Sequence, residues 1–394
     1  MIYVHIPFCR SFCTYCDFYS EVALRCLKAE ERLKQEAVFE RYADALIAEI
    51  GIRKNEIQGV RTESGVNTLY LGGGTPSVLP LGVLRRVLEA LKEATGTGGF
   101  EEFTIEVNPE DIVDKGPAYV EGLLGLGVNR VSMGVQSFDD KILKWMNRRH
   151  DSAAAVRAYG ILEDAGVSNI SIDLIFGLPQ LSDTLWQDSL DKALSISSKG
   201  VYPQHISSYQ LSVEPGSMLA KLVERGKWTE ATEDLCQRQY SLLCDTLAKS
   251  GYHHYEISNF AQPGYEAVHN SAYWRHVPYV GLGPGAHSFA GVDSAVRKWN
   301  EESLEAYLTA AAGGDFSGVR GQEVLDDEQM SMEKVMLALR TSSGILETAL
   351  RDCCDNEALD KALVFGDLMR HSDGMIRIPE SRFFVSDNII SSII

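Results

Sequence analysis

The sequence predicts an α/β protein: a partial (β/α)6 barrel of the TIM type, followed by a C-terminal, mainly helical, winged-helix-like domain. Three observations predict it. Six β-rich segments lie within residues 1–213. Each is separated from the next by a segment of helical spacing, the pattern of right-handed βαβ units around a parallel sheet. Glycine or unusual polar residues also gather at the carboxyl end of every strand, where barrel-type α/β enzymes hold their chemistry. An open doubly wound sheet, the alternative, concentrates such residues at one switch point.

The elements follow from period and from Gly/Pro punctuation. Ile2–Ile6 is a strand that runs into a cysteine loop, and a long helical pattern covers residues 37–58. VNTLYLGG (66–73) is a strand entering glycines, and residues 81–95 have helical spacing. EEFTIEV (101–107) is a strand with Glu106 near its end, followed by a short helix at 118–127. NRVSMGVQ (129–136) is a strand closed by Gln136, with helices expected at 140–148 and 153–166. NISIDLIFG (169–177) carries Asp173 in its second half, a helix spans 184–196, and the sixth strand, HISSYQLSV (205–213), has Ser212 near its end.

After Val213 the rhythm fades. A helix is expected at 231–250, an extended run at 252–261 and a Gly-, His- and aromatic-rich stretch at 269–291. Residues 301–372 read as mostly helical, with a late hairpin formed by GMIRIP and RFFVSD. The division that results is 1–225 for the barrel with its cysteine loop, 226–300 for a connecting segment, and 301–394 for the C-terminal domain.

Of the 394 residues, 45% are hydrophobic and 23% charged, which supports a large core and argues against a disordered chain. A net charge of −18 argues against a bulk electrostatic grip on nucleic acid or anionic lipid, so the C-terminal domain is not read as a DNA binder. No apolar run reaches the ~18 residues of a membrane span. The N-terminus lacks the basic and long apolar regions of a signal peptide. A cytosolic protein is expected, or an organellar one whose transit sequence has been removed.

Eight cysteines are present. Cys26, Cys236 and Cys244 are scattered and Cys353–Cys354 are adjacent; in this context they form no disulfide framework. Cys9, Cys13 and Cys16 are different, a Cys-x3-Cys-x2-Cys run directly after the first strand. A structural zinc site wants four closed ligands, and His5, four residues before Cys9 within the predicted strand, could be a fourth. A four-iron cluster held by three thiolates instead keeps one iron open, and a small molecule with an amine and a carboxylate can close it. Zinc and uncoordinated cysteines remain the alternatives at this level.

With Tyr15 before the last cysteine and GGGTP at 72–76, the loop resembles that of the radical S-adenosylmethionine superfamily. YVHIPFC, LGGGTPS, EVNPE, RVSMGVQSF, SIDLIFGLP, EISNFA and GLGPGAHSF are similar to one of its branches. That branch contains the oxygen-independent coproporphyrinogen III oxidase (HemN) and the haem chaperone HemW. The resemblance implies a barrel of the radical-SAM kind, a [4Fe–4S] cluster on Cys9, Cys13 and Cys16, and S-adenosylmethionine near Tyr3, Gly73, Gly74, Thr75 and Glu106. A second such molecule would meet Tyr15, Gln136, Arg148, Asp173 and Ser212.

Two features bear on function. The oxidase branch carries a further cysteine two places after the third cluster cysteine, where this chain has Phe18. His269-Asn270-x-x-Tyr273-Trp274 also resembles the HNxxYW motif of the chaperone branch, which makes His269, Asn270, Tyr273 and Trp274 haem-binding candidates. His276 and His287 are further candidate ligands. The expected function is therefore binding haem and delivering it to haem-requiring proteins, membrane-bound respiratory proteins among them. The resemblance also implies a cluster-dependent homodimer. Oxidative decarboxylation of coproporphyrinogen III is the enzymatic alternative; a haem-degrading methyltransferase and a zinc-stabilised binding module are further rivals.

Overall fold

The computed structural model describes residues 1–22 and 29–394; Cys26 lies outside them. Six parallel strands, Ile2–Ile6, Thr68–Gly73, Glu102–Val107, Arg130–Gln136, Ile170–Phe176 and His205–Gln210, lie side by side in chain order. Their register sets Leu71 beside Ile105, Ser132 beside Ser171, and Asp173 beside Ser207. The central parallel sheet foreseen from the alternation is present.

Period-2 alternation builds the wall. On the fourth strand Val131, Met133 and Val135 belong to the buried apolar core, while Arg130, Ser132, Gly134 and Gln136 line the cavity inside the arc. The helix Leu81–Thr95 contributes Val83, Leu84, Val87, Leu88 and Leu91 to that core and stops at Gly96, which takes the left-handed conformation.

The sheet is larger than the sequence suggests. Val280–Leu282 adds a parallel strand outside Ile2–Ile6, and the antiparallel pair His253–Glu256 and Asn259–Ala261 extends the far edge beyond His205–Gln210. These strands are three or four residues long, too short for alternation to show. The two outermost strands do not pair with each other, so the arc stays open.

Further expectations are corrected. The pattern at 37–58 resolves into two helices, Ala29–Ile52 and Lys54–Ser64. The break is at Arg53, whose guanidinium turns inward to Glu49, Glu56, Ser288 and the carbonyl of Gly281. A helix at Pro109–Lys115 was not foreseen. The sixth strand ends at Gln210 and leaves Ser212 on the following loop. The late hairpin joins Met375–Arg377 to Met369–Arg370, and Ile345–Leu346 completes its sheet. RFFVSD is instead helical: Glu380–Val385 forms a 3-10 turn after Pro379, and Phe383 is buried. Arg320–Val324, within the stretch expected to be mostly helical, is a strand paired with Val296–Asn300; the helices of the C-terminal region include Leu304–Gly313, Asp327–Leu339, Glu347–Cys353, Asn356–Phe365 and Ser386–Ile393.

Candidate cofactor and ligand site

The arc encloses a cavity of about 600 Å3 whose mouth is the cysteine loop. A two-residue parallel bridge between Phe8–Cys9 and Glu21–Val22 closes the loop on itself. The turn after Asp140–Trp145 holds it from outside. The Thr14 N–H donates to Met146 O at 3.1 Å, the Thr14 hydroxyl to Trp145 O at 2.8 Å, and Asn147 Nδ2 to Phe12 O at 2.7 Å. Asn147 does this from φ 60°, a left-handed conformation that asparagine tolerates better than most residues.

Cys9, Cys13 and Cys16 all carry free thiols and all line the cavity. Burial pushes the Cys9 thiol up, and pushes Cys16 up to about 12 with help from the charge of Cys13. Thiols placed this way keep their protons until a bound metal displaces them. Among the described residues no three His, Cys, Asp or Glu side chains converge on a single ion. A four-iron cluster asks for something else: each thiolate takes a different iron, so the three sulfurs stand apart around it. Three thiols on one cavity wall, with no carboxylate between them in the sequence, fit that donor set. His5 is not placed as a fourth ligand. Its Nδ1 meets the Tyr3 hydroxyl at 3.1 Å and its Nε2 the Tyr19 carbonyl at 2.8 Å.

The glycine run passes directly beneath the loop. The Gly74 N–H donates to Ile6 O at 2.8 Å and the Thr75 N–H to Phe8 O at 2.7 Å. A Cβ on Gly73, which sits at φ 102°, would lie 2.6 Å from the His5 ring, and one on Gly74 would lie 2.8 Å from Ile6 O. Glycine is required here by the protein's own packing as well as by any ligand at the wall. From Thr75 a polar chain crosses the mouth. Thr75 Oγ1 is 3.4 Å from Cys9 Sγ and accepts from Asn108 Nδ2 at 3.2 Å. Asn108 Oδ1 accepts from Arg148 Nη2 at 2.6 Å, and Arg148 Nη1 lies 3.4 Å from Cys13 Sγ. Arg148 also donates to Gly134 O at 2.7 Å, and its Nε is buried without a partner.

Deeper in, two carboxyls share the lumen. Glu106 Oε1 accepts from the Tyr70 hydroxyl at 2.8 Å; burial raises its pKa to about 8, against the pull of that hydrogen bond. Asp173 accepts from the Ser132 hydroxyl at 3.0 and 3.1 Å, and burial raises it to about 6. Gln136 lines the cavity from φ 68°, where a bulge interrupts its pairing with the fifth strand. A non-glycine residue in that conformation beside a cavity is the kind of strain that functional sites hold.

Tyr15 and Ser212 also line the cavity, the latter donating to Glu214 Oε1 at 2.6 Å. Tyr3 does not; its ring lies 6.1 Å behind that of Tyr70.

The HNxxYW residues divide. Asn270 reaches the cavity. His269 is 1% exposed, with Nδ1 2.8 Å from the Thr68 hydroxyl and Nε2 3.0 Å from that of Tyr273. Burial, then the charges of the N-terminus and Arg130, lower its pKa to about 3, so it is a neutral ring with both nitrogens engaged. Tyr273 packs edge-on against Tyr279, and Trp274 is half-buried. His276 pairs with Glu333 and stacks on Phe289, and His287 stacks on Trp299.

Tyr70, Asn108, Arg130, Ser132, Ser207 and Tyr209 line the cavity and escaped the reading of the sequence. The alternation in NRVSMGVQ, apolar on one face and Arg-Ser-Gly-Gln on the other, is the signal that could have found two of them.

Residues 3–193 match the family described as the radical SAM superfamily. A protein of Lactococcus lactis named "Heme chaperone HemW" is 35% identical over 344 residues, 87% of this chain and 82% of that protein. One of the same name from Mycobacterium tuberculosis is 31% identical over 395 residues, covering 100% of this chain and 94% of that protein. The coproporphyrinogen III oxidase HemN of Escherichia coli superposes with a TM-score of 0.78 over 99% of this chain and 89% of that one, at 21% identity, which is a likeness of fold. Three thiols at the mouth of an open parallel arc, and full-length identity above 30%, carry one conclusion: the chain belongs to the radical SAM superfamily and, within it, to the HemW family.

Proposed function

We propose that this protein is a haem chaperone, which binds haem and passes it to haem-requiring acceptor proteins. The full-length likeness to proteins named as HemW haem chaperones carries the reading. Two features of the mouth support it. Phe18, 66% exposed, stands where the oxidase branch has its further cysteine. With Phe12 and Tyr209, also exposed, it gives the cavity an aromatic rim suited to the flat apolar face of a porphyrin.

In this reading Cys9, Cys13 and Cys16 hold the [4Fe–4S] cluster, while Gly73, Gly74, Thr75 and Glu106 surround S-adenosylmethionine. When bound and reduced, the cluster supplies one-electron cleavage of the sulfonium. Tyr15, Gln136, Arg148, Asp173 and Ser212 form the second, deeper set. Of the HNxxYW residues, Asn270, which lines the cavity, would touch a ligand there, and His269 and Tyr273 would position its helix. No helix among the described residues is long and apolar enough to cross a membrane, so contact with a membrane-bound acceptor would be peripheral.

An anaerobic haem titration of the cluster-reconstituted protein, followed at the Soret band, tests this. Saturation near one haem per chain, weakened by Phe18→Ala or Asn270→Ala, is the expected result. Absence of saturable binding, together with release of CO2 from coproporphyrinogen III, would replace the chaperone with the oxidase.

A further inference from the structure

The fourth strand opens with Arg130, which has no part in the site as read from the family. Arg130 is 2% exposed and lines the same cavity as the cysteines. Its guanidinium makes no hydrogen bond or ion pair with any described residue, and its Nε is buried without a partner. Arg53, also buried, has Glu49, Glu56, Ser288 and Gly281, and half-buried Arg148, whose Nε also lacks a partner, has Asn108, Gly134 and Cys13 through its other nitrogens. Asp173, whose carboxyl senses the Arg130 charge, accepts from the Ser132 hydroxyl, is also held by a hydrogen bond from Ser207, and makes no ion pair with Arg130. Arginine cannot discharge itself by losing a proton, and a buried charge without a counter-ion is strongly unfavourable. Something that enters the cavity is the missing partner.

We propose that Arg130 is a receptor for a carboxylate on the molecule that fills the cavity. A guanidinium fork offers two parallel N–H donors that match a carboxylate. A phosphate would bring a second negative charge into a chamber that already holds the Asp173 carboxylate. Asn270 lines the cavity as well and adds an amide to the same chamber; its neighbour His269 also senses the Arg130 charge. Arg130 and Gln136 are six residues apart on one strand, about 20 Å at ~3.3 Å per residue. The thiols and the guanidinium therefore mark opposite ends of one ligand chamber. The carboxylate has two possible sources, a propionate of a tetrapyrrole or the aminoacyl group of the second S-adenosylmethionine, the one not bound at the thiols. The first rests on the chaperone reading and the second does not.

The test compares wild type, Arg130→Gln and Arg130→Lys as cluster-reconstituted protein. Four probes are titrated: iron protoporphyrin IX, its dimethyl ester, S-adenosylmethionine, and the decarboxylated form of the last. The Gln variant should bind one carboxylate-bearing probe ~tenfold or more weakly, with the esterified or decarboxylated counterpart unaffected. The Lys variant, which keeps the charge and loses the fork, should fall between. The thermal midpoint of the ligand-free Gln variant should equal or exceed that of wild type, because an unpaired buried charge has been removed. If wild type binds no haem, the chaperone reading fails while the S-adenosylmethionine arm still decides the role of Arg130. Unchanged affinity for both carboxylate probes would overturn the inference, as would an equal loss for the ester. So would a lowered midpoint or failure to fold, either of which would make Arg130 a structural residue.

Discussion

Burial lifts Glu106 from 4.5 to about 8; the Tyr70 hydrogen bond opposes the rise and the charge of Asp173 adds to it. Between those two values the folded chain keeps a proton that the unfolded chain has lost. Its stability therefore falls as pH rises through that window. Asp173, raised from 3.8 to about 6, acts in the same sense at lower pH. Ligand-free Glu106→Gln should lose the Glu106 part of this slope. Its urea midpoint should gain on wild type from about pH 5 to about pH 8; parallel profiles would show that Glu106 ionises freely in the fold. Both carboxyls were legible in the sequence as polar residues ending or interrupting strands. Their charge states were not, because burial depends on how six strands curve around one lumen. Arg130 went unread for a related reason: a lone arginine at the start of a strand looks like a solvated end until the lumen is seen to reach it.

The helix Val268–Trp274 shows what a motif can and cannot tell. Glu102 caps it by accepting from the N–H groups of Val268 and His269 at 2.8 and 2.9 Å, a carboxylate placed at the positive end of the helix. His269 then bridges the hydroxyls of Thr68 and Tyr273 inside the core. His269→Ala would strand both hydroxyls and should cost about 2–3 kcal/mol of folding stability. Asn270→Ala, on the cavity side, should stay within about 0.5 kcal/mol. Urea denaturation of the ligand-free variants distinguishes them, and equal costs would remove the division of labour between neighbouring residues. The sequence singled out these residues but not their helix; one partner of His269, Tyr273, is four residues on in the same motif, whereas the other, Thr68, comes from a strand some two hundred residues away, which no local pattern encodes. That Cys9, Cys13 and Cys16 share one place was legible for the opposite reason, since one short loop contains all three.

At the scale of the molecule, one buried carboxylate joins distant parts of the chain. Glu49, fully buried on the first helix, accepts from Arg53, Arg320, Asn300, the Tyr307 hydroxyl and the Gly283 N–H at 2.7–3.0 Å. Those partners belong to segments between residues 283 and 320, apart from Arg53 itself. Glu49→Ala leaves two guanidiniums short of a counter-charge and should cost about 3–5 kcal/mol. Hydrogen exchange should speed up first at Val280–Leu282 and Val296–Asn300. Uniform acceleration across all six barrel strands would instead mean that Glu49 supports the core as a whole.

The parallel pairing of Ile2–Ile6 with Val280–Leu282 sets an order of events during synthesis. Ile2–Ile6 lacks its outer neighbour until Val280–Leu282, about 270 residues later, has left the ribosome, and contacts of such long sequence separation form late. The cysteine loop hangs from that strand. A cluster held by these thiols would therefore be best assembled after that pairing has formed, since before it the thiols stand on an unsupported edge.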